Sequence, residues 1–132
     1  MRVVLDTNVL VSALMTPEGT CARVIAAASS EKVTVLLDDR ILLEHAVVLR
    51  RPKLQLDPTD VELVLHQLAD VAERIIAPPA GISLPDETDA KFVEVALAAA
   101  ANCVVTGNKR HFPAKACRGV RILSPKQFIA EL

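Results

Sequence analysis

The 132-residue sequence contains no tryptophan and no tyrosine, and phenylalanine occurs three times. A surface that stacks several nucleobases is built on such side chains, so an RRM or OB-type binding module is not expected. Cysteine is scarce and odd in number. Cys21, Cys103 and Cys117 have no CxxC spacing, which argues against a disulfide framework, and His111 adds no zinc motif to Cys103 and Cys117. Excess charge of one sign is missing too. Fifteen basic residues stand against sixteen acidic ones, a formal net charge of −1, so any nucleic-acid contact has to be local rather than driven by global attraction. No long hydrophobic run is present: the longest, Val95 to Ala101, is far below the roughly 18 residues of a membrane span. Asp6 interrupts the apolar N-terminus before a signal-peptide core can form. These absences predict a soluble, cytoplasmic protein with no membrane partner.

What is present is apolar material, 52% of the chain against 23% charged, enough to bury a core within one domain spanning residues 1–132. Arg2 to Leu5 is an apolar run without alternation, read as a strand buried on both faces. After a turn at Thr16 to Gly19, Thr20 opens a helix that ends near Ser29. Lys32 to Leu37 reads as a second buried strand, and Asp38 and Asp39 as N-caps of a helix from Arg40 to Arg50 that Pro52 stops. Asp57 followed by Pro58 opens another helix, to about Ala72, with Val61, Val64, Leu65 and Leu68 as its stripe. Arg74 to Ala77 is a third strand candidate. A proline-rich loop leads to a helix beginning at Thr88 or Asp89, with Asn102 expected as its left-handed C-terminal residue. Cys103 to Thr106 and Val120 to Leu123 complete the strands, and Ser124 with Pro125 caps a last short helix. Strands alternating with helices, none with a polar face, predict a three-layer α/β/α sandwich around a mainly parallel sheet.

In such folds the site lies beyond the carboxyl ends of the strands. Asp6 ends the first strand, and a carboxylate there loses hydration unless a cation or hydrogen-bond donors meet it. A turn residue satisfied by the amides of Asn8 or Val9 is the plainer alternative. Glu44 falls among Ile41, Val47 and Val48 on its helix, within an apolar stripe, where either a basic partner or a metal has to offset its charge. His45 beside it is expected at the surface. Asp86 and Asp89 precede the alanine-rich helix, and capping explains one of them but not readily both. Glu94 is expected to be a surface partner of Lys91 at i,i+3 spacing. Several carboxylates at one sheet end repel one another, a repulsion that Mg²⁺ or Mn²⁺ relieves, and such ions activate water for attack on a phosphodiester. A phosphatase or a receiver domain also gathers acids at strand ends. The receiver reading would use Asp38 and Asp39 with Lys109.

Across nearly the whole chain, the segments VVLDTNVLVSAL, LLEHAVVLRRPKL, LPDETDAKFVEVALAAAA, VVTGNKRHF and VRILSPKQFI resemble the PIN-domain family, in particular the VapC-like toxins of prokaryotic toxin–antitoxin systems. The resemblance implies a PIN-like fold and a Mg²⁺- or Mn²⁺-dependent endoribonuclease. It further implies an RNA substrate, a cognate antitoxin partner and a homodimer. Asp6 matches the family's first acid, Glu44 the second and Asp89 the third, with Asp86 in the acidic stretch just before it. Where the family commonly has TGD, this chain has Thr106, Gly107 and Asn108. Asn cannot ionise, so one well-held metal and a weaker second are expected, with reduced activity or a non-cutting RNA- or protein-binding role as the alternative. Thr7, Asn8, Ser12 and Thr106 suit the orientation of carboxylates or substrate, with ordinary turn and cap roles as the alternative for Thr7 and Ser12. Of two basic clusters, Arg50, Arg51 and Lys53 on one side and Lys109, Arg110 and His111 on the other, Lys109 and Arg110 are the better candidates for RNA phosphate contact.

Overall fold

The computed structural model describes residues 1–30 and 32–132. Five strands form one parallel sheet in the order β3-β2-β1-β4-β5: β1 Arg2–Leu5, β2 Thr34–Leu37, β3 Glu73–Arg74, β4 Cys103–Val105 and β5 Ile122–Leu123. β1 lies at the centre, in register with β4 through Val4↔Val104 and Leu5↔Val105. The central strands are apolar at every buried position because both sheet faces are covered, as parallel sheets require. Successive residues still divide between the two sides. Val3, Leu5, Val35, Cys103 and Val105 pack into one core with Val9, Val24, Val64 and Phe128, whereas Val4, Leu36 and Val104 pack into the other with Phe92, Val93 and Phe112. The result is the expected three-layer α/β/α sandwich.

The helices follow their predicted starts closely where a cap announces them. α2 runs Thr20–Ala28 with Gly19, not Thr20, at its N-cap and no side-chain capping bond, whereas α3 Asp39–Leu49 is capped by Asp38, whose Oδ1 accepts from the Ile41 amide at 3.0 Å. α4 runs Pro58–Val71 behind Asp57, and α6 Pro125–Ala130 begins with a reciprocal Ser124–Gln127 capping box. Helix α1, Thr7–Met15, was not expected from the sequence. Its apolar residues occupy most positions, so no polar stripe reveals the period, although Val9, Leu10 and Ala13 do face the core. The edge strand β3 is exposed and shares only Arg74 with the expected Arg74 to Ala77, and β5 is shortened to Ile122–Leu123.

Asn102 does not take the left-handed position at the end of α5, Ala90–Ala98. Ala100 does, at φ 51°, with Ala101 N–H bonded to the Ala96 carbonyl at 2.9 Å and Ala100 N–H to that of Leu97 at 3.3 Å. This is a Schellman ending built on alanine. Asn102 instead accepts from the Arg2 amide through its side chain at 2.7 Å, where β1 and β4 begin. Among the described residues no single helix is long and apolar enough to cross a membrane.

Candidate metal centre

Parallel strands all deliver their last residues to one end of the sheet, and there the polar side chains gather. Asp6 follows β1 directly and is 7% exposed. Thr106, which follows the neighbouring strand β4 and is completely buried, donates its hydroxyl to Asp6 Oδ2 at 2.8 Å. Burial pushes the Asp6 carboxyl above its usual range, the Thr106 hydroxyl opposes that rise, and the charge of Glu44 adds to it. The Thr106 oxygen also accepts from the Asn108 amide at 3.0 Å, so one hydroxyl fixes both the acid and the loop after β4. Asn8 reaches the same loop, accepting from the Gly107 amide at 3.1 Å.

Glu44 is half-buried on α3 and is claimed from two sides. Thr7 donates its hydroxyl to Oε2, and the Lys91 ammonium sits 2.7 Å from Oε1. The buried stripe of α3 is Ile41, His45 and Leu49, not the expected Ile41, Val47 and Val48: Val47 is 54% exposed, and Glu44 lies on the flank. His45 is accordingly not a surface residue. It is 2% exposed with Nδ1 2.8 Å from the Thr7 hydroxyl oxygen. Because Thr7 has a single proton and directs it to Glu44, Nδ1 of His45 is the donor in that contact. Burial pushes the His45 imidazole down to about 4, so it is neutral near pH 7.

Asp86 and Asp89 divide the work as two acids in one short segment rarely can. Asp86 is exposed and caps the 3₁₀ turn Glu87–Asp89, accepting from the Thr88 amide at 2.9 Å and the Thr88 hydroxyl at 2.7 Å, which lower its pKa. Asp89 precedes α5 but makes no capping bond with its side chain. It is 8% exposed, and Oδ2 is buried without a hydrogen-bond partner. His111 Nδ1 lies 3.3 Å from that oxygen, outside hydrogen-bonding alignment. Burial, then the charges of Asp6 and Asp86, push the Asp89 carboxyl up to about 6.

Asp6 feels the charge of Glu44 and Asp89 the charges of Asp6 and Asp86, while Lys91 pairs with Glu44 and acts on Asp86 and Asp89, its ammonium also lying 4.7 Å from the Phe92 ring centroid. Hard oxygen donors of this kind suit a divalent cation, and the orphaned Asp89 oxygen is the sort of buried acceptor that such an ion satisfies. Ligand atoms of Asp86, Asp89 and His111 all fall within 4.8 Å of one another.

Other expectations need correction. Glu94 is no surface partner of Lys91: it is 7% exposed, bound by Arg40 at 2.8 Å and by the Ala80 amide at 2.9 Å, which fastens the proline-rich loop to α5. Lys91 pairs across the fold with Glu44 instead. Asp38 pairs with Arg40 and Asp39 with Arg74, while Lys109 donates to Gln127 at 3.0 Å, so the receiver arrangement is not formed. Arg110 is exposed beside Lys109. Ser12 is exposed on α1 and lines an open groove with Cys21 and Ser124; among the described residues no hydrogen bond joins its side chain to the acids. Arg50 pairs with Glu62 across a cleft between α3 and α4. Cys103 and Cys117 occupy opposite cores. The sequence reading missed Lys91 and His111 as neighbours of the acids. Lys91 had an equally well-spaced partner in Glu94, and His111 was absorbed into a run of basic residues.

Residues 2–110 match the family described as PIN domain. An uncharacterized protein of Methanocaldococcus jannaschii is 31% identical over 113 residues, which span 83% of this chain and 72% of that protein. Among solved structures, VapBC2 from Rickettsia felis, bound to a DNA fragment from their promoter, is similar with a TM-score of 0.63 and 16% identity, over 94% of this chain and 98% of that one. FitAcB from Neisseria gonorrhoeae has a TM-score of 0.61 and 17% identity, over 94% and 98%. VapBC-1 from nontypeable Haemophilus influenzae has a TM-score of 0.60 and 14% identity, over 96% and 99%. At these identities the likeness is one of fold. With the family match covering most of the sequence, the chain belongs to the PIN-domain family.

Proposed function

We propose that this protein is a Mg²⁺- or Mn²⁺-dependent endoribonuclease that hydrolyses RNA phosphodiester bonds as the toxin of a toxin–antitoxin pair. The observation that carries the reading is the buried, unpartnered Asp89 oxygen within a cluster of carboxylates at the carboxyl ends of the strands. Asp6, Glu44 and Asp89 would hold the cation, with Asp86 assisting. When bound, such a cation lowers the pKa of water and offsets charge on the phosphate. The protein's own side chains prepare the site. Thr106 favours the ionised form of Asp6 against the effect of burial, Thr7 fixes the direction of Glu44, and Lys91 reduces the negative potential that would otherwise repel an RNA backbone. Lys109 and Arg110 follow β4 at the rim and are proposed phosphate contacts, Lys109 after release from Gln127.

The family resemblance and the fold likeness to VapBC and FitAcB support a cognate antitoxin as partner and a cytoplasmic setting. Exposed Leu43, Val47 and Leu63 on α3 and α4 support a homodimer. The test is cleavage of a panel of structured RNAs with Mn²⁺, with Mg²⁺ and with EDTA, beside Asp6→Asn. Loss of cleavage in EDTA and in the folded variant is expected; equal cleavage by that variant would refute the assignment.

One observation favours a second reading, a weakened PIN-fold module that binds RNA or protein without cutting. Asn108 supplies no fourth negative charge, and both Glu44 oxygens already have partners. RNA binding that is unaffected by EDTA, without turnover, would select it.

A further inference from the structure

The loop after β4 lacks the acid that the family resemblance leads one to expect at Asn108, yet it does not leave that side of the cluster without a ligand. Asn108 opens a 3₁₀ turn, Lys109–His111, closed by His111 N–H to the Asn108 carbonyl at 3.1 Å. The next residue, Phe112, is 2% exposed and packs edge-on against Phe92 of α5, ring centroids 6.3 Å apart. This anchor holds the turn against the helix that follows Asp89. The His111 imidazole consequently stands 3.3 Å from the orphaned Asp89 Oδ2 while remaining 44% exposed. Two potential ligand atoms face each other there without a hydrogen bond between them.

We propose that His111 joins Asp86 and Asp89 in a nitrogen-containing cation position that selects a divalent transition ion, such as Mn²⁺, over Mg²⁺. The inference rests on the reading that these carboxylates hold a divalent cation, and it adds the ligand that decides which one. Mg²⁺ prefers oxygen donors and retains its waters, whereas imidazole favours first-row transition ions. Asp86 and Asp89 alone would therefore discriminate weakly between the two ions. An imidazole in the set changes the preference by ligand chemistry rather than by charge. It also explains how the chain tolerates asparagine at position 108: the missing donor is supplied three residues later, from the other end of the same turn.

The experiment follows Mn²⁺ binding to the full chain by the electron paramagnetic resonance of free Mn²⁺, with Mg²⁺ as competitor, and looks for nitrogen hyperfine coupling on the bound ion. His111→Ala is expected to lose that coupling and to weaken Mn²⁺ binding about tenfold or more while changing Mg²⁺ binding less. His111→Asp, which restores an oxygen donor, should bind Mn²⁺ without nitrogen coupling and shift the preference toward Mg²⁺. Circular dichroism establishes that both variants are folded, as the exposure of His111 leads one to expect. Mn²⁺ bound by the wild type with no coupling, or bound equally by His111→Ala, overturns the role of His111 and leaves the nuclease reading standing. A wild-type chain that binds neither ion overturns both.

Discussion

Thr106 and Asp6 lie 100 residues apart in sequence, and a 2.8 Å hydrogen bond joins them across the two central strands. The hydroxyl donates to the carboxylate, so it stabilises the charged form of an acid that burial drives the other way. Thr106→Val should keep the shape and remove the donor. Because the Asn108 amide loses its acceptor as well, a loss of about 2 kcal/mol near pH 7 is expected by urea denaturation. The loss should shrink at about pH 3.5, where protonated Asp6 no longer needs that donor. Equal losses at both pH values would mean that the bond does not act on the charge.

Asp89 provides the clearest pH dependence. Its folded-state value, raised to about 6 from an ordinary 3.8, makes the protonated form the one that folding favours. That stability is fully present below about 3.8 and is lost as pH rises through about 6. Without divalent ions, melting temperature should therefore decline across this window, and Asp89→Asn should flatten the decline. Mn²⁺ should raise the melting temperature more at pH 7 than at pH 5, since it binds the carboxylate. A flat profile for the wild type would contradict the burial seen at Asp89.

Asn108→Asp tests the departure from the family pattern. The side chain begins the turn that carries His111, and its backbone is already fixed by Thr106. A carboxylate at that position should tighten divalent-ion binding by about tenfold, read by calorimetry, and raise RNA cleavage. In the metal-free protein it should also lower stability, because it adds negative charge beside Asp6 and Asp89. Unchanged ion affinity would separate position 108 from the cation.

Ala100→Gly concerns the fold alone. Alanine at φ 51° carries a Cβ in the left-handed region, where glycine meets no such cost. The substitution should stabilise the protein by about 1 kcal/mol in thermal or chemical denaturation, with ion binding unaffected. Destabilisation would indicate that the methyl group contributes packing that outweighs the strain.

The architecture was legible wherever local chemistry announces an element. Asp57-Pro58 and Ser124-Pro125 open helices because a cap and a fixed φ act within one turn of chain, and the β-branched runs of β1, β2 and β4 could only be buried. α1 was hidden because a helix apolar on most faces shows no period. In the candidate site, Asp6, Glu44, Asp86 and Asp89 were visible as acids out of place; the ligand atoms that fall within 4.8 Å of one another are those of Asp86, Asp89 and His111, while Asp6 acts on Asp89, and Glu44 on Asp6, through charge. Their partners were not visible. Lys91 had one acid within helical reach and another across the fold, and spacing alone favoured the wrong one. His45 is buried because the Thr7 hydroxyl waits on a neighbouring helix, a fact of packing that no sequence window contains. At His45, Glu94 and Lys91 a contact between distant segments overrode a local preference.

The four acids do not stand on equal ground. Asp6 extends from the middle strand of the sheet, with hydrogen-bonded neighbours on both sides, whereas Asp86 and Asp89 belong to a 3₁₀ turn that leads directly into α5 and His111 to one that Phe112 anchors against that helix. One wall of the site is thus carried by the sheet, and the opposite wall by single 3₁₀ turns with fewer backbone hydrogen bonds than a strand ladder. Amide hydrogen exchange should divide the site accordingly, slow at Asp6 and fast at residues 86–89 and 109–111.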